Sequence, residues 1–411
     1  MKSGTAGCGL NYAVRRSGSA AAYCALSIRC GTRDEDGFNE GIAHFTEHTI
    51  FKGTRSKSAS VINGRLDRLG GELNAYTTKE DIVFHATVLK EDLCKAASLL
   101  MELATEATFP EAEIETERGV VTDEIISYRD SPADEIYDRF EESLFEGHPL
   151  GRSILGTEES VGGIGSEDLR RFTAERFVPS RMAFTVVADI DEARMEHAVL
   201  RLAEKYFGSG DRIFPAIGTT VYRRPEAKVF DRTEDKGNHE VNAVIGGTAP
   251  SLYEERERIA ASLLCNIIGG PAANSMLNGI LRERNGWVYA VECAYTQYAD
   301  TGIAAITFGC DKPNLKRCLR SISRVLGGLV ETPLSDRKLA AAKKQFLGQL
   351  AISSDNSETQ CLSMGKSLLA FGKIATAEEN RELLMSLSRE ELRCAAERIF
   401  SPERLSRLIY L

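Results

Sequence analysis

The sequence predicts an α+β protein made of two duplicated domains, each a mostly antiparallel sheet packed with helices. The order of strand-like and helix-like segments in the first half returns in the second half. Two pairs of segments also match: 66–77 (LDRLGGELNAYT) resembles 281–292 (LRERNGWVYAVE), and 169–181 (LRRFTAERFVPSR) resembles 392–404 (LRCAAERIFSPER). Because self-similarity at a nearly constant spacing is the mark of a repeated unit, we predict an internal duplication.

The junction between the two domains is predicted in 207–220, FGSGDRIFPAIGTT, where glycine and proline cluster. Such clusters interrupt helices and strands and are typical of linkers. We therefore expect an N-terminal domain at 1–212 and a C-terminal domain at 213–411. The length of 411 residues suggests two to four domains, since ordinary domains have roughly 100–200 residues.

The first half begins with a strand and two helices. AAYCALSIRC (21–30) is expected to be a strand. NEGIAHFTEHTIF (39–51) has apolar residues at helical spacing, with Asn39 as the N-cap, and SASVINGRLDRLG (58–70) is expected to be a helix that ends at its glycine. GELNAYTTKEDIVFHATVL (71–89) contains two strand-like runs, which we expect to pair as a hairpin.

Longer helices and one more strand complete the first half. The helices are expected at 91–107, 110–129, 133–145 and 166–177, and the strand at 181–190. Pro110 stands in the first turn of its helix, where the missing N–H costs nothing.

Composition and charge exclude several classes of partner. The net charge of -9 argues against nucleic acid, and no apolar run approaches the roughly 18 residues that a membrane span needs. The N-terminal residues MKSGTAGCGLNYAVRR lack the apolar segment of a secretory signal, so a cytoplasmic protein is expected. The ten cysteines form no CxxC pair, and we interpret them as buried reduced thiols, with Cys24 and Cys30 on one sheet face.

A motif at residues 44–48, HFTEH, contains two of the six histidines. On a helix, His44, Glu47 and His48 project from one face. Two imidazoles one turn apart can bind one metal ion, for which zinc is the usual choice. Glu47 beside it can take a proton from a water whose pKa the metal lowers to about 7. The alternative is a polar helix face with two surface histidines.

A catalytic zinc usually has three protein ligands, so a third one is expected elsewhere. The predicted helix 110–129 contains several candidates, which are Glu111, Glu113, Glu115, Glu117 and Glu124. Glu117 and Glu124 lie seven residues apart on one face, with Val120 and Val121 between them. Carboxylates on an inward-facing apolar stripe need a partner, which a metal would supply. The residues alone do not choose between the two.

The motif and three further segments together resemble the pitrilysin/insulinase family of zinc metallopeptidases, the inverzincins, which carry HxxEH. The further segments are FKGT, GGELNAYTTKEDIVF and ERGVVTDEI, and the short form resembles mitochondrial processing peptidase subunits. In that family the third ligand is a glutamate about 75 residues beyond the second histidine, with another glutamate seven residues before it. The resemblance thus implies that His44, His48 and Glu124 bind Zn²⁺ and that Glu117 assists; manganese and cobalt stay open.

The second half resembles the family segment that carries an arginine and a tyrosine seven residues apart. In GGPAANSMLNGILRERNGWVYAV (269–291) these are Arg282 and Tyr289, which the resemblance assigns to substrate binding and to stabilising the tetrahedral intermediate. The alternative is a charge at a helix end and an aromatic residue on a strand. The repeat places Ile259 and Leu263 where His44 and His48 stand, so one metal site per chain is expected.

The resemblance also assigns a binding surface. It places the strand residues Asn74, Ala75 and Tyr76 against the substrate. The substrate would pair with them as an added edge strand, which would favour extended peptides. Thr46 and Thr49 stand where family members often have apolar residues, and altered packing is expected there.

These expectations combine into one function. The chain is expected to be a hydrolase, a zinc endopeptidase that cleaves extended peptides or unfolded segments inside a clamshell chamber. The resemblance implies a homodimer, or a heterodimer with a related chain, in which Arg282 and Tyr289 act at the partner's zinc. The alternative is a non-catalytic or partner-dependent peptide-binding subunit, and the identity of the substrate is not readable.

Overall fold

The computed structural model describes residues 1–208 and 222–411, which form two compact units. The first unit consists of the described residues within 1–126, 152–220 and 352–375. The second consists of those within 127–151, 221–351 and 376–411. The predicted boundary between 212 and 213 lies outside the described residues and stays a prediction.

The described residues contain eleven strands and fourteen α-helices. The strands are β1 Lys2–Thr5, β2 Asn11–Arg16, β3 Ala21–Ile28, β4 Glu72–Thr77, β5 Ile82–Leu89, β6 Met182–Ala188, β7 Asp231–Glu234, β8 Glu240–Ala249, β9 Val288–Gln297, β10 Gly302–Asp311 and β11 Ser406–Tyr410. The helices are α1 Ile42–Thr49, α2 Ala59–Asp67, α3 Leu93–Glu106, α4 Glu111–Arg129, α5 Pro132–Leu144, α6 Glu158–Gly162, α7 Ser166–Arg176, α8 Glu192–Phe207, α9 Glu255–Gly269, α10 Leu315–Glu331, α11 Asp336–Ser354, α12 Ser357–Phe371, α13 Ala377–Ser386 and α14 Arg389–Phe400.

The elements predicted for the first half are present, with shifted ends. The hairpin is formed by β4 and β5, which pair antiparallel from Glu72 opposite Thr87 to Thr77 opposite Ile82. The predicted N-cap is wrong: α1 begins after Gly41, whereas the Asn39 side chain donates to the carbonyl of Ser160. The prediction also omitted β1, β2, α6 and α8.

The first unit is built on a six-stranded sheet in the order β1-β2-β6-β3-β5-β4. Its pairs are antiparallel except β2 with β6, so the mostly antiparallel prediction is confirmed. Every residue of β6 is buried, because this apolar strand is covered on both faces. Helices α3 and α8 lie on one face, and α12 packs against β6, β3 and β2 on the other.

The second unit is built on a five-stranded sheet in the order β7-β11-β8-β10-β9. Only the β11–β7 pair is parallel. Helices α9 and α14 pack against strands of this sheet, and α10 packs against α14 in the same apolar cluster; α5 contacts β8 and β11 in a second cluster. Repetition of a sheet between helices in both units confirms the predicted α+β class.

Each unit contains one helix from the opposite half of the sequence. Helix α12, near the C-terminus, completes the first unit, and its Met364, Leu368 and Leu369 pack against Ala25 and other small and branched residues of the sheet. Helix α5, from the first half, completes the second unit, where Phe140 is fully buried. Each sheet therefore buries one of its faces under residues that are distant in sequence.

The cysteines are free thiols, eight of them buried; Cys94 and Cys394 are exposed. Cys24 lies on β3 and Cys30 lies beyond its end, and both belong to the apolar core of the first unit. No helix in the described parts of the chain combines the length and apolar composition that membrane crossing requires.

Candidate metal centre

Helix α1 carries the HFTEH motif and is held by close backbone contacts and hydrogen bonds. Its N-cap is Gly41, whose φ of 87° lies in the left-handed region, and a Cβ there would come within 2.7 Å of the Leu155 carbonyl oxygen. The hydroxyls of Thr46 and Thr49 donate to the carbonyls one turn earlier, at 2.7 and 2.6 Å. These two polar residues are therefore buried without an unmet hydrogen bond, and the altered packing relative to family members stays a prediction.

The structure brings the three predicted ligands together in the first unit. The Nε2 atoms of His44 and His48 lie 3.8 and 3.4 Å from Oε2 of Glu124, and one ligand atom from each residue lies within 4.8 Å of the others. A tetrahedral zinc with bonds of about 2.0–2.1 Å holds its ligand atoms roughly 3.4 Å apart. The donor set and its spacing thus suit zinc.

The hydrogen bonds around His48 show why a cation fits at this point. Nδ1 of His48 lies 3.2 Å from Oε2 of Glu117, a carboxylate that can only accept, so the ring proton belongs on Nδ1. The lone pair of Nε2 then faces Oε2 of Glu124, a buried oxygen with no hydrogen-bond donor among the described residues. In the neutral imidazole these two acceptors, 3.4 Å apart, repel each other unless a proton or a metal cation lies between them.

His44 is held in the form that binds metals. Burial and the neighbouring His48 lower the pKa of His44 to about 3, so its imidazole is neutral. Neutral imidazole is a common zinc ligand. Its Nδ1 is buried and has no hydrogen-bond partner among the described residues.

Glu47 lies beside the three ligands without being one of them. One carboxylate oxygen, Oε2, accepts a 2.8 Å hydrogen bond from the hydroxyl of Thr77 on β4. Burial raises the pKa of Glu47, against the lowering by Thr77 and His48. A carboxylate with a raised pKa is a better proton acceptor in general base catalysis.

The choice between Glu117 and Glu124 follows from helix α4. Glu124 faces both histidines, whereas Glu117 is buried and contacts His48 on the side away from Glu124. The predicted apolar stripe is only half present: Val121 is fully buried, but Val120 is 48% exposed. Val120 therefore does not belong to the buried stripe of α4 that Val121 shares with Glu117.

Three contacts at this centre were not predicted from the sequence. They are the hydroxyl of Thr77 on Glu47, the ammonium of Lys52 on Glu117, and the carboxylate of Glu35 at the start of α1. Lys52 lies four residues after His48, so helical spacing could have placed it on the same side. Thr77 and Glu35 carry no such signal, because they reach α1 through tertiary contacts.

Glu35 supports the helix that bears the motif. Its carboxylate accepts the N–H groups of Gly41 and Ala43, at 3.1 and 3.0 Å, which otherwise have no partner at the helix N-terminus. Glu35 is fully buried, and burial raises its pKa from 4.5 to about 8. The folded protein thus binds this proton more tightly than the unfolded chain does.

Stability should therefore depend on pH through Glu35. A raised carboxyl pKa contributes stability below about pH 4.5 that is lost as the pH rises to about 8. Relative to Glu35→Gln, the free energy of unfolding of the native chain should fall by a few kcal/mol across this range, at about 1.4 kcal/mol per pKa unit. Urea unfolding of chelator-treated protein at several pH values measures it, and parallel curves for the two proteins would contradict it.

The second unit places Arg282 and Tyr289 on one cavity of ≈ 530 Å³. Arg282 lies in a π-helical segment, Asn278–Arg284, and Tyr289 lies at the start of β9. The Tyr289 ring is 62% exposed, and its hydroxyl donates to Asp311 at 2.8 Å. The equivalent helix positions, Ile259 and Leu263, contribute to the apolar core and offer no ligand.

The predicted substrate strand lies at a sheet edge. Strand β4 is the last strand of its sheet, and its repeat counterpart β9 is the last strand of the other. Asn74 is exposed on β4, whereas Ala75 and Tyr76 pack partly against apolar clusters on opposite faces. The unpaired side of such a strand can pair with an extended peptide.

Comparison with known sequences identifies relatives along nearly the whole chain. Residues 12–158 match the family described as insulinase (peptidase family M16), and residues 163–346 match the one described as peptidase M16 inactive domain. The chain is 30% identical over 376 residues to the uncharacterized zinc protease YmxG of Bacillus subtilis, covering 92% of this chain and 90% of that protein. A Mycobacterium leprae protein, the uncharacterized zinc protease ML0855, is 29% identical over 384 residues, covering 93% and 85%.

Solved structures share the fold at lower identity. A peptidase M16 inactive domain protein from Pseudomonas fluorescens superposes with a TM-score of 0.89 and 16% identity, covering 100% of this chain and 97% of that one. A protease from Helicobacter pylori gives 0.88 and 20%, covering 100% and 99%. Both similarities confirm the two-domain α+β fold.

Proposed function

Since this chain belongs to the insulinase family, peptidase family M16, in its short two-domain form, we propose that it is a zinc-dependent endopeptidase acting on extended peptides or unfolded segments. The observation that carries the proposal is the position of Glu124, whose Oε2 faces Nε2 of His48 at 3.4 Å with Glu47 alongside. Relatives named zinc proteases support the choice of metal.

The residues of the centre would divide the work of peptide hydrolysis. His44, His48 and Glu124 would hold a zinc ion, which polarises the scissile carbonyl and lowers the pKa of water to about 7. Glu47 would take the proton of the attacking water and give it to the leaving amine. Glu117 would keep the His48 ring oriented through Nδ1.

Arg282 and Tyr289 would act on the substrate rather than on the metal. Their hydrogen-bond donors would stabilise the negative charge that develops on the carbonyl oxygen. In the free protein the Tyr289 hydroxyl donates to Asp311, so this bond would be exchanged for one to the substrate. Residues 74–76 would bind the peptide backbone as an edge strand, which selects extended segments over folded ones.

We further propose a homodimer that encloses a chamber, with Arg282 and Tyr289 of the partner subunit completing each zinc site. A heterodimer with a related chain is the alternative assembly. The proposed compartment is the cytoplasm, where free thiols such as the eight buried ones stay reduced.

Mixing two inactive variants tests the shared site. Tyr289→Phe lacks the donor and Glu47→Gln lacks the base, so a mixed dimer would contain one site with both groups intact. Peptide hydrolysis should recover to roughly a quarter of the native rate in an equal mixture, since half the dimers are mixed and each has one intact site. The rate is measured after subunit exchange, and no recovery at any mixing ratio would contradict action between subunits.

A non-catalytic or partner-dependent peptide-binding subunit is the second candidate function. The match of residues 163–346 to a domain described as inactive favours keeping it. Against it, the first unit retains the complete set of His44, Glu47, His48 and Glu124.

Hydrolysis of unselected peptides distinguishes the two functions. The purified protein is incubated with a mixture of unfolded peptides, and the products are read by mass spectrometry. We expect cleavage with one zinc per chain, loss of cleavage after chelation, and recovery on adding zinc back. Intact peptides in the presence of one bound zinc per chain would shift the function to the non-catalytic subunit.

A further inference from the structure

We propose that Lys52 is a positioning residue of the metal centre, which acts on the ligand His48 through the carboxylate of Glu117. Lys52 ends the short 3-10 turn Ile50–Lys52 that follows α1, and its ammonium contacts Oε1 of Glu117. The other oxygen of Glu117, Oε2, contacts Nδ1 of His48. The three side chains thus form one continuous chain of polar contacts that ends at a ligand.

Burial explains why Glu117 needs Lys52. The Glu117 side chain is 9% exposed, and a buried carboxylate is costly unless it is paired and hydrogen-bonded. The proton of His48 Nδ1 satisfies one oxygen, and the ammonium satisfies the other. With both oxygens occupied, the carboxylate cannot rotate without losing a contact, so the His48 ring stays turned with Nε2 toward Glu124.

The direction in which zinc affinity changes when Lys52 is lost distinguishes a positioning role from a simple effect of its positive charge. A lysine close to a metal centre repels Zn²⁺, so its charge alone predicts tighter zinc binding when Lys52 is lost. Positioning predicts weaker binding, because Glu117 is released and the orientation of His48 is no longer fixed. The proposal rests on the metal centre of the proposed function and not on peptide hydrolysis.

The same unit contains a matched control pair. Lys57 contacts Glu102, and their side chains are 15% and 6% exposed, close to the 20% and 9% of Lys52 and Glu117. Glu102 also accepts from Thr54 and Ser56, at 2.7 and 2.8 Å. In the described structure neither member of this pair contacts a predicted zinc ligand. Lys57→Met therefore removes a similar buried ion pair without touching the centre.

The test measures Zn²⁺ affinity of the purified full chain by competition with a chelator. Lys52→Met should weaken binding about 10–100-fold, as loss of a ligand's supporting partner does. Lys57→Met should change it by no more than about twofold. In the Glu117→Gln background, adding Lys52→Met should change affinity by no more than about threefold, because Lys52 acts through Glu117.

Each result decides the proposal. Tighter or unchanged binding in Lys52→Met, or an equal loss in Lys57→Met, would overturn it. A full additional loss in the Glu117→Gln background would also overturn it. Should Lys52→Met fail to fold, Lys52→Gln replaces the ammonium with a neutral amide on a shorter side chain that holds Glu117 less firmly, so this variant must bind zinc more weakly than the native chain. A native chain that binds no zinc would refute the centre itself, which is a different failure from that of Lys52 alone.

Discussion

Replacement of Glu47 by glutamine should lower the rate of peptide hydrolysis by about 10²–10⁴-fold while zinc stays bound. The substituted side chain keeps its shape and can still accept from Thr77, whose hydroxyl lies 2.8 Å from the Glu47 carboxylate. It can no longer take a proton from water. Because Glu47 does not belong to the three-residue ligand group, zinc stoichiometry should remain one per chain.

Two measurements on the same preparation check this result. Zinc content and the initial rate of peptide cleavage are determined for the native chain, for Glu47→Gln and for Glu111→Gln. Glu111 is exposed at the start of α4, so its variant should behave as the native chain does. A Glu47→Gln protein that cleaves at the native rate would remove Glu47 from the reaction, and one without zinc would make it a ligand.

Replacement of Glu124 by glutamine should have the largest effect on zinc itself. The charge that balances the cation is lost, and an amide offers a much weaker oxygen ligand in place of the carboxylate that faces both histidines. We expect zinc affinity to fall by more than about 100-fold, the upper end of what loss of a supporting partner costs. Hydrolysis should fall with it and should partly return at high zinc concentration.

The neighbouring residue supplies the control for Glu124. Asp123 is exposed on the same turn of α4, and Asp123→Asn removes the same charge one position away. Its zinc affinity, measured by chelator competition, should stay within about twofold of the native value. Equal losses in the two variants would mean that general charge, and not ligation by Glu124, governs zinc binding.

The sequence could predict features whose cause is local. The spacing of His44 and His48 follows from helix geometry, and the hairpin 71–89 follows from its two strand-like runs. The resemblance extended these local motifs to Glu124, which lies 76 residues beyond His48. Glu124 lies beside both histidines because of the tertiary fold, which the sequence spacing alone does not predict.

Other features depended on contacts between distant segments and could not be read from the chain. Asn39 has the chemistry of an N-cap, but its side chain bonds to Ser160, and Glu35 caps α1 from outside the helix. Val120 lies between Glu117 and Glu124 in the sequence and yet is exposed. The buried face of α4 includes fewer residues than its apolar pattern predicts. No local sequence pattern predicted that α5 would pack in the second unit and α12 in the first.

Helix α12 of the second half of the sequence packs in the first unit, and this arrangement has a consequence for synthesis of the chain. The β-strands of the first unit are complete once residue 188 has been made, but the helix that packs against one face of that sheet is α12, Ser357–Phe371. On a translating ribosome the apolar residues of this face, among them Ala25, Val83 and Val187, therefore remain exposed while roughly 170 further residues are added. The first unit is begun early and is among the last parts of the chain to finish folding, so a nascent chain that stops before residue 357 would remain a target for chaperones and proteases.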